Sequence, residues 1–216
     1  MARLWLRRGG VAGRAAWTGL AGLACLSALT VSLGLAGGVA SPARAQAPAV
    51  SARLAACGAC HGADGQSQLG GIPSLAGQPS VFLENQLVLI REGVRDIPAM
   101  KGVLEGVSDA EISQLARHYA ALLPPRPAPA STDPLYARGQ VLAREARCGI
   151  CHLPNYVGRE QMPRLAGQRE DYLLHSMRQF VANQAVGRDS NMAASLHGMA
   201  DADLQALAHY LARVAP

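Results

Sequence analysis

The chain has 216 residues and a formal net charge of +5, a size that suits one or two small domains. Five of its 20 basic residues precede position 46 and no acidic residue does, so 15 basic and 15 acidic residues remain beyond it. The basic character therefore belongs to the N-terminal segment, and the composition gives no reason to expect a nucleic-acid partner.

The first 45 residues are typical of a secretory signal peptide. Four arginines precede an uncharged apolar stretch over residues 15–40, and Ala43 and Ala45 form an A-x-A cleavage signal. A retained membrane anchor is the alternative, because the apolar stretch is long enough to cross a bilayer. The many glycines and the cleavage signal favour removal of residues 1–45 and export to the periplasm.

Two Cys-x-x-Cys-His motifs contain four of the five cysteines, and the fifth, Cys25, lies in the predicted leader. This motif is typical of covalent c-type haem attachment, because the two thiols bind the porphyrin vinyl groups and the histidine ligates the iron. Zinc ribbons pair Cys-x-x-Cys units at about 15–20 residues, unlike these distant copies, and a redox dithiol needs no histidine. The sequence therefore predicts two covalently bound haem c groups. The attachment residues are Cys57, Cys60, His61, Cys148, Cys151 and His152.

The motifs belong to an internal repeat. PSLAGQ at 73–78 recurs as PRLAGQ at 163–168, and apolar residues at helical spacing follow each copy. The last predicted helix of the first copy begins with a Ser-x-x-Glu capping box at Ser108. We predict an all-α protein made of two tandem domains. The boundaries are 46–123 for the first domain, 124–134 for a proline-rich linker and 135–216 for the second domain.

A second axial iron ligand is expected from a methionine. Met100 and Met192 align with each other, and each is predicted to lie in an irregular stretch before the last helix of its copy. Met199 is the main competitor of Met192. The other methionines and histidines of the mature chain are better explained as core or surface residues, namely Met162, Met177, His118, His175, His197 and His209.

Together these motifs resemble the dihaem cytochrome c4 family over nearly all of the mature chain. The resemblance implies two class I cytochrome c folds about a pseudo-two-fold axis, with the haem edges close together. It also implies that the carbonyl groups of Pro73 and Pro163 accept hydrogen bonds from the Nδ1–H groups of the two haem-ligating histidines. The first copy departs from this pattern at one position. In the second copy, Gly139 would let the first and last helices cross closely, whereas the first copy has Pro48 at the aligned position. The helix crossing of the first domain is therefore expected to be looser or shifted, with a more exposed haem.

An iron with histidine and methionine on its two faces has no open coordination site and changes only its electron count. We therefore expect a periplasmic electron carrier rather than an enzyme, with no small-molecule substrate. Its partners would be a quinol–cytochrome c oxidoreductase or dehydrogenase as donor and a terminal oxidase as acceptor, with peripheral membrane association left open. The alternatives are the dihaem subunit of a complex such as flavocytochrome c sulfide dehydrogenase, or a dihaem enzyme with an open iron.

Overall fold

A computed structural model describes residues 47–216, so the predicted signal peptide at 1–45 lies outside the described residues. This part of the chain is helical, and its only β-type pairing is an isolated bridge between Arg159 and Met162. No helix within residues 47–216 is both long and apolar enough to cross a membrane.

The two sequence copies form similar series of helices. The first contains α1 (Ala47–His61), α2 (Ser80–Arg91), a 3-10 turn (Pro98–Met100) and α3 (Asp109–Ala121). The second contains α4 (Pro134–Glu145), α5 (Cys148–His152), α6 (Glu170–Val181), α7 (Ser190–Leu196) and α8 (Asp201–Arg213).

Local residues explain where these helices begin and end. The predicted capping box is present, because Ser108 accepts from the Glu111 N–H while the Glu111 carboxylate accepts from the Ser108 N–H. The Asp133 side chain caps α4 by accepting from the Tyr136 N–H, ahead of a proline at the first helical position. Arg147 has a left-handed backbone with φ of 55°, which separates α4 from α5 and redirects the chain into the second haem motif.

The second copy has one continuous core. Its buried apolar side chains come from α4, α6, α7 and α8, with Tyr156 and Ala166 from the segment between α5 and α6. The close approach of α4 to α8 is centred on Gly139. A Cβ atom at this position would lie 2.0 Å from the Ala206 carbonyl oxygen and 2.6 Å from the Cβ atom of Tyr210. The second domain therefore has the close crossing of its first and last helices that Gly139 predicts.

The first copy has a different arrangement of its first helix. Leu142 and Ala143 of α4 are buried, but Ser51 and Ala52, which align with them, are exposed on α1. Partly buried Val50 and Leu54 pack against the core instead, so the helix presents another face to the domain. Apart from Ala76, the buried apolar residues of this copy form two small clusters. One contains Leu104, Val107, Ile112 and Leu115, and the other contains Leu83, Ala116 and Tyr119.

The two copies meet through polar contacts near the repeated P-x-L-A-G-Q motifs. The side chain of Gln168 binds the backbone of Ser74, and the side chain of Gln78 binds the backbone of Arg164. These two interactions are equivalent in the repeat, since Gln78 and Ser74 align with Gln168 and Arg164. Further contacts are less symmetric, including a 2.8 Å hydrogen bond from the Gly71 N–H to Asp171.

Candidate haem sites

His61 stands at the C-terminal end of α1 with its ring buried. Its Nδ1 atom lies 2.8 Å from the Pro73 carbonyl oxygen, and because proline supplies only an acceptor here, Nδ1 must carry the proton. Nε2 is then left as the ring's lone-pair donor. Burial lowers the pKa of His61 and outweighs the opposing effect of the Pro73 carbonyl, which favours the neutral ring that an iron ligand requires.

His152 has the same environment at the end of α5. Its ring is buried, and its Nδ1 atom lies 2.8 Å from the Pro163 carbonyl oxygen. Burial likewise lowers the pKa of His152, against the effect of Pro163. Both repeats therefore fix one tautomer and one orientation of the histidine through the proline carbonyl twelve or eleven residues later.

The cysteines of each motif are separated by one helical turn, so both thiols lie toward the same side of the helix. Cys57 and Cys148 are half-buried, whereas Cys60 and Cys151 are exposed. Burial raises the pKa of the Cys57 and Cys148 thiols, which disfavours the free thiolate. All four cysteines are free.

Met100 and Met192 are both partly buried and contact the cores of their own domains. Met100 ends the 3-10 turn, in a segment that is otherwise made of turns. Met192, however, lies within α7, so the prediction of an irregular stretch at this position was wrong. The helix forms because Asp189 caps it by accepting from the Asn191 N–H.

The remaining methionines and histidines mostly occupy the positions expected of them. Met177 is buried and Met199 contacts the core of the second domain, while His118, His175 and His197 are exposed. His209 differs, because its ring is only 12% exposed and lies between two carboxylates. Its nitrogens are 3.1 Å from Asp133 and 3.2 Å from Glu170, so it links the start of α4 to α6.

Two arginines near the contact between the copies were not singled out from the sequence. Arg95 binds the side-chain oxygen of Gln86 and lies 3.4 Å from the Tyr172 hydroxyl, which belongs to the other copy. Arg188 binds Ser176 and Gln179 and lies 3.9 Å above the Phe180 ring. Burial, followed by the nearby Arg95 charge, lowers the pKa of Arg188 to about 10. Both guanidinium groups therefore bind neutral oxygens in a partly buried region. No motif or residue spacing in the sequence predicts this placement of the two arginines.

Neither cysteine-histidine motif is part of a larger cluster of metal-binding side chains in the described part of the chain. Within residues 47–216, no three His, Cys, Asp or Glu side chains are grouped so that they could hold a metal ion by themselves. The two Cys-x-x-Cys pairs belong to separate domains, each with its own histidine and proline partner. The arrangement suits one large cofactor in each domain.

Family models match both halves of the chain. Residues 136–215 match the model described as cytochrome c, and residues 44–118 match the model described as cytochrome c oxidase, cbb3-type, subunit III. Two cytochrome c-type domains therefore cover most of the sequence beyond the predicted leader.

Whole-chain comparisons connect the two domains to one family. Cytochrome c4 of Pseudomonas aeruginosa is 34% identical over 165 residues, which cover 72% of this chain and 80% of that protein. A protein of Thiomonas intermedia named thiosulfate dehydrogenase electron acceptor is 34% identical over 169 residues, covering 73% of this chain and 78% of the relative. The crystal structure of reduced cytochrome c4 from Pseudomonas stutzeri matches with a TM-score of 0.70 and 28% identity, covering 78% of this chain and 98% of that one. The chain therefore belongs to the cytochrome c4 family, and it is a dihaem electron-transfer cytochrome with two covalently bound haem c groups.

Proposed function

We propose that the protein is a periplasmic carrier that accepts electrons from a respiratory donor and delivers them to a terminal oxidase. The observation that carries this proposal is the matched pair of histidines, each buried and each held by a proline carbonyl at 2.8 Å. The proposed donor is a quinol–cytochrome c oxidoreductase or a dehydrogenase. The functional protein would be the mature chain, after removal of a signal peptide that ends near Ala45.

The residues suit one haem in each domain. Cys57 and Cys60 would bind the first haem and Cys148 and Cys151 the second, with His61 and His152 as proximal ligands and Met100 and Met192 as distal ligands. In the first domain, Cys57 packs against one small apolar cluster and Met100 against the other, so a flat apolar group between them would join the two. The proposed domains span 46–123 and 135–216, with the linker at 124–134.

Charge at the contact between the copies also suits haem. Each haem carries two negatively charged propionates. The guanidinium groups of Arg95 and Arg188 bind only uncharged oxygen atoms among the described residues, so their charges remain available to a propionate. These arginines would neutralise propionate charge in a partly buried setting. Haem itself supplies a reversible one-electron change, and the chain holds the ligands that keep both faces of the iron occupied.

A second candidate function is that of electron acceptor for one dehydrogenase. It is favoured by the relatives named thiosulfate dehydrogenase electron acceptor in Thiomonas intermedia and Stutzerimonas stutzeri. A permanent dehydrogenase subunit should co-purify with its larger partner, whereas a carrier should be isolated alone. An enzyme with an open iron is the least favoured alternative, because both domains hold a partly buried methionine at matching positions.

The ligand assignment is tested with the holoprotein and carbon monoxide. Wild-type protein should contain two low-spin haems per chain, and neither should bind carbon monoxide. Met192→Ala should keep both haems but open the second iron to carbon monoxide, while the matched control Met199→Ala should leave the spectrum unchanged. Carbon monoxide binding by Met199→Ala and not by Met192→Ala would reverse the assignment. Carbon monoxide binding by the wild type would instead favour the open-iron enzyme.

A further inference from the structure

The peptide group between Pro73 and Ser74 makes contacts in both domains. Its carbonyl oxygen, from Pro73, lies 2.8 Å from His61 Nδ1. Its N–H, from Ser74, donates to Oε1 of Gln168 in the other domain at 2.9 Å. A single peptide unit therefore connects the proximal histidine of the first domain to a glutamine of the second.

The same connection exists in the opposite direction. The Pro163 carbonyl oxygen lies 2.8 Å from His152 Nδ1, and the N–H of Arg164 donates to Oε1 of Gln78 at 2.9 Å. Two separate hydrogen-bond chains thus cross the contact between the domains, and each ends at the proximal histidine of the domain that does not supply the glutamine.

The glutamines are held firmly in these positions. Gln78 and Gln168 are each 5% exposed. Each amide also donates a hydrogen bond through Nε2 to the same residue of the other domain. Gln78 donates to the Arg164 carbonyl at 3.0 Å, and Gln168 donates to the Ser74 carbonyl at 2.9 Å. Because both the oxygen and the nitrogen of each amide are bound, their orientation is determined by the hydrogen-bond pattern.

Hydrogen bonds in such a chain reinforce one another. When the peptide N–H donates to a glutamine oxygen, the carbonyl oxygen of the same peptide becomes more negative and a better acceptor. Stronger acceptance from Nδ1–H makes the imidazole a stronger electron donor to a metal at Nε2. A stronger donor stabilises ferric iron relative to ferrous iron and so lowers the reduction potential.

We propose that Gln168 and Gln78 are positioning residues that tune the two haems crosswise, Gln168 lowering the potential of the first haem and Gln78 that of the second. This inference rests on the proposed ligation of the irons by His61 and His152. It explains why the P-x-L-A-G-Q motif contains both the proline that binds the histidine and a glutamine that its own histidine does not use.

Crosswise tuning predicts which haem changes its reduction potential and in which direction. A loosened contact between the domains would give a different result. Removing the glutamine oxygen should raise the potential of the haem in the opposite domain. Simple opening of the interface would admit water, which stabilises the more highly charged ferric state and lowers the potentials of both haems.

The test uses the full-length holoprotein with Gln168→Leu, Gln78→Leu and a control, Gln140→Leu, at an exposed position of α4. Each potential is measured by redox titration followed by NMR, with the amide signal of Gly62 reporting on the first haem and that of Leu153 on the second. We expect Gln168→Leu to raise chiefly the first potential, Gln78→Leu to raise chiefly the second, and Gln140→Leu to change neither. Gln168→Asn, whose shorter side chain falls short of Ser74, should shift the first potential the same way and replaces the leucine variant if that variant fails to mature.

The outcomes separate this inference from the function on which it rests. Unchanged potentials, a shift confined to the mutated domain, or a fall in both potentials would overturn crosswise tuning while leaving the proposed ligation intact. A wild-type spectrum that lacks two low-spin haems would overturn the ligation and the tuning together.

Discussion

Replacing Gly139 with alanine tests whether the second domain depends on the close crossing of α4 and α8. The added Cβ atom would lie 2.0 Å from the Ala206 carbonyl oxygen, where ordinary contacts are 3.4–4 Å. The obstructing atom belongs to the backbone of α8 and cannot rotate away, so the two helices must separate. Overpacking of this kind costs up to about 3 kcal/mol, and the higher helix propensity of alanine returns about 1 kcal/mol.

We therefore expect Gly139→Ala to lower the free energy of unfolding by about 2 kcal/mol, equivalent to a fall of about 4–8 °C in Tm for a chain of this size. The assay is thermal and urea unfolding of the holoprotein, followed by far-UV circular dichroism. Gln140→Ala, on the exposed side of the same helix, is the control and should stay within about 0.5 kcal/mol of the wild type. A variant at Gly139 that is as stable as the wild type, or more stable, would refute the claim that the glycine is required by the helix crossing.

Two further predictions concern helix caps. Ser108→Ala removes the hydroxyl that accepts from the Glu111 N–H at the start of α3, and should cost about 1 kcal/mol in urea unfolding; an unchanged midpoint would show that the cap contributes nothing. For Asp133, a hydrogen bond from Ser131, then one from the Tyr136 N–H, lowers the pKa from 3.8 to about 2. A lowered pKa means that the carboxylate stabilises the fold above its unfolded value of 3.8 and that this stabilisation is lost as the pH falls toward 2. Asp133→Asn keeps a capping oxygen but loses the charge, so the stability gap between wild type and variant should be present at neutral pH and shrink below about pH 4. A gap that widened toward acid would contradict this reasoning.

The elements of the haem sites could be predicted because they depend on short local patterns. Cys-x-x-Cys-His places two thiols one helical turn apart, and the resemblance to the cytochrome c4 family implied that the proline of each P-x-L-A-G-Q motif lies beside the histidine. The capping box at Ser108 likewise needs only four consecutive residues. Such features require no knowledge of which helices pack together.

Two features differ from what the sequence suggested, for different reasons. Met192 was expected in an irregular stretch before the last helix, but a short helix begins after Asp189, which caps it through the Asn191 N–H. This cap is as local as the one at Ser108, and the alignment of the two copies drew attention away from it. His209 looked like an ordinary helix residue, yet it lies between carboxylates from two other segments of the chain. That outcome requires knowing what lies beside a residue in three dimensions.

The contact between the domains gives a physical reason for keeping two copies in one chain. A first domain alone would leave the backbone N–H and carbonyl of Ser74 without the Gln168 amide, and its own Gln78 amide without Arg164. Water would replace these partners in a separate first domain, so each lost hydrogen bond would cost about 0.5–1.5 kcal/mol net. The combined loss matters for a domain whose apolar core is divided into two small clusters. The same contacts lie one peptide group away from the proximal histidines. The second copy therefore stabilises the first through the hydrogen bonds by which we propose that it also adjusts the potential of the first haem.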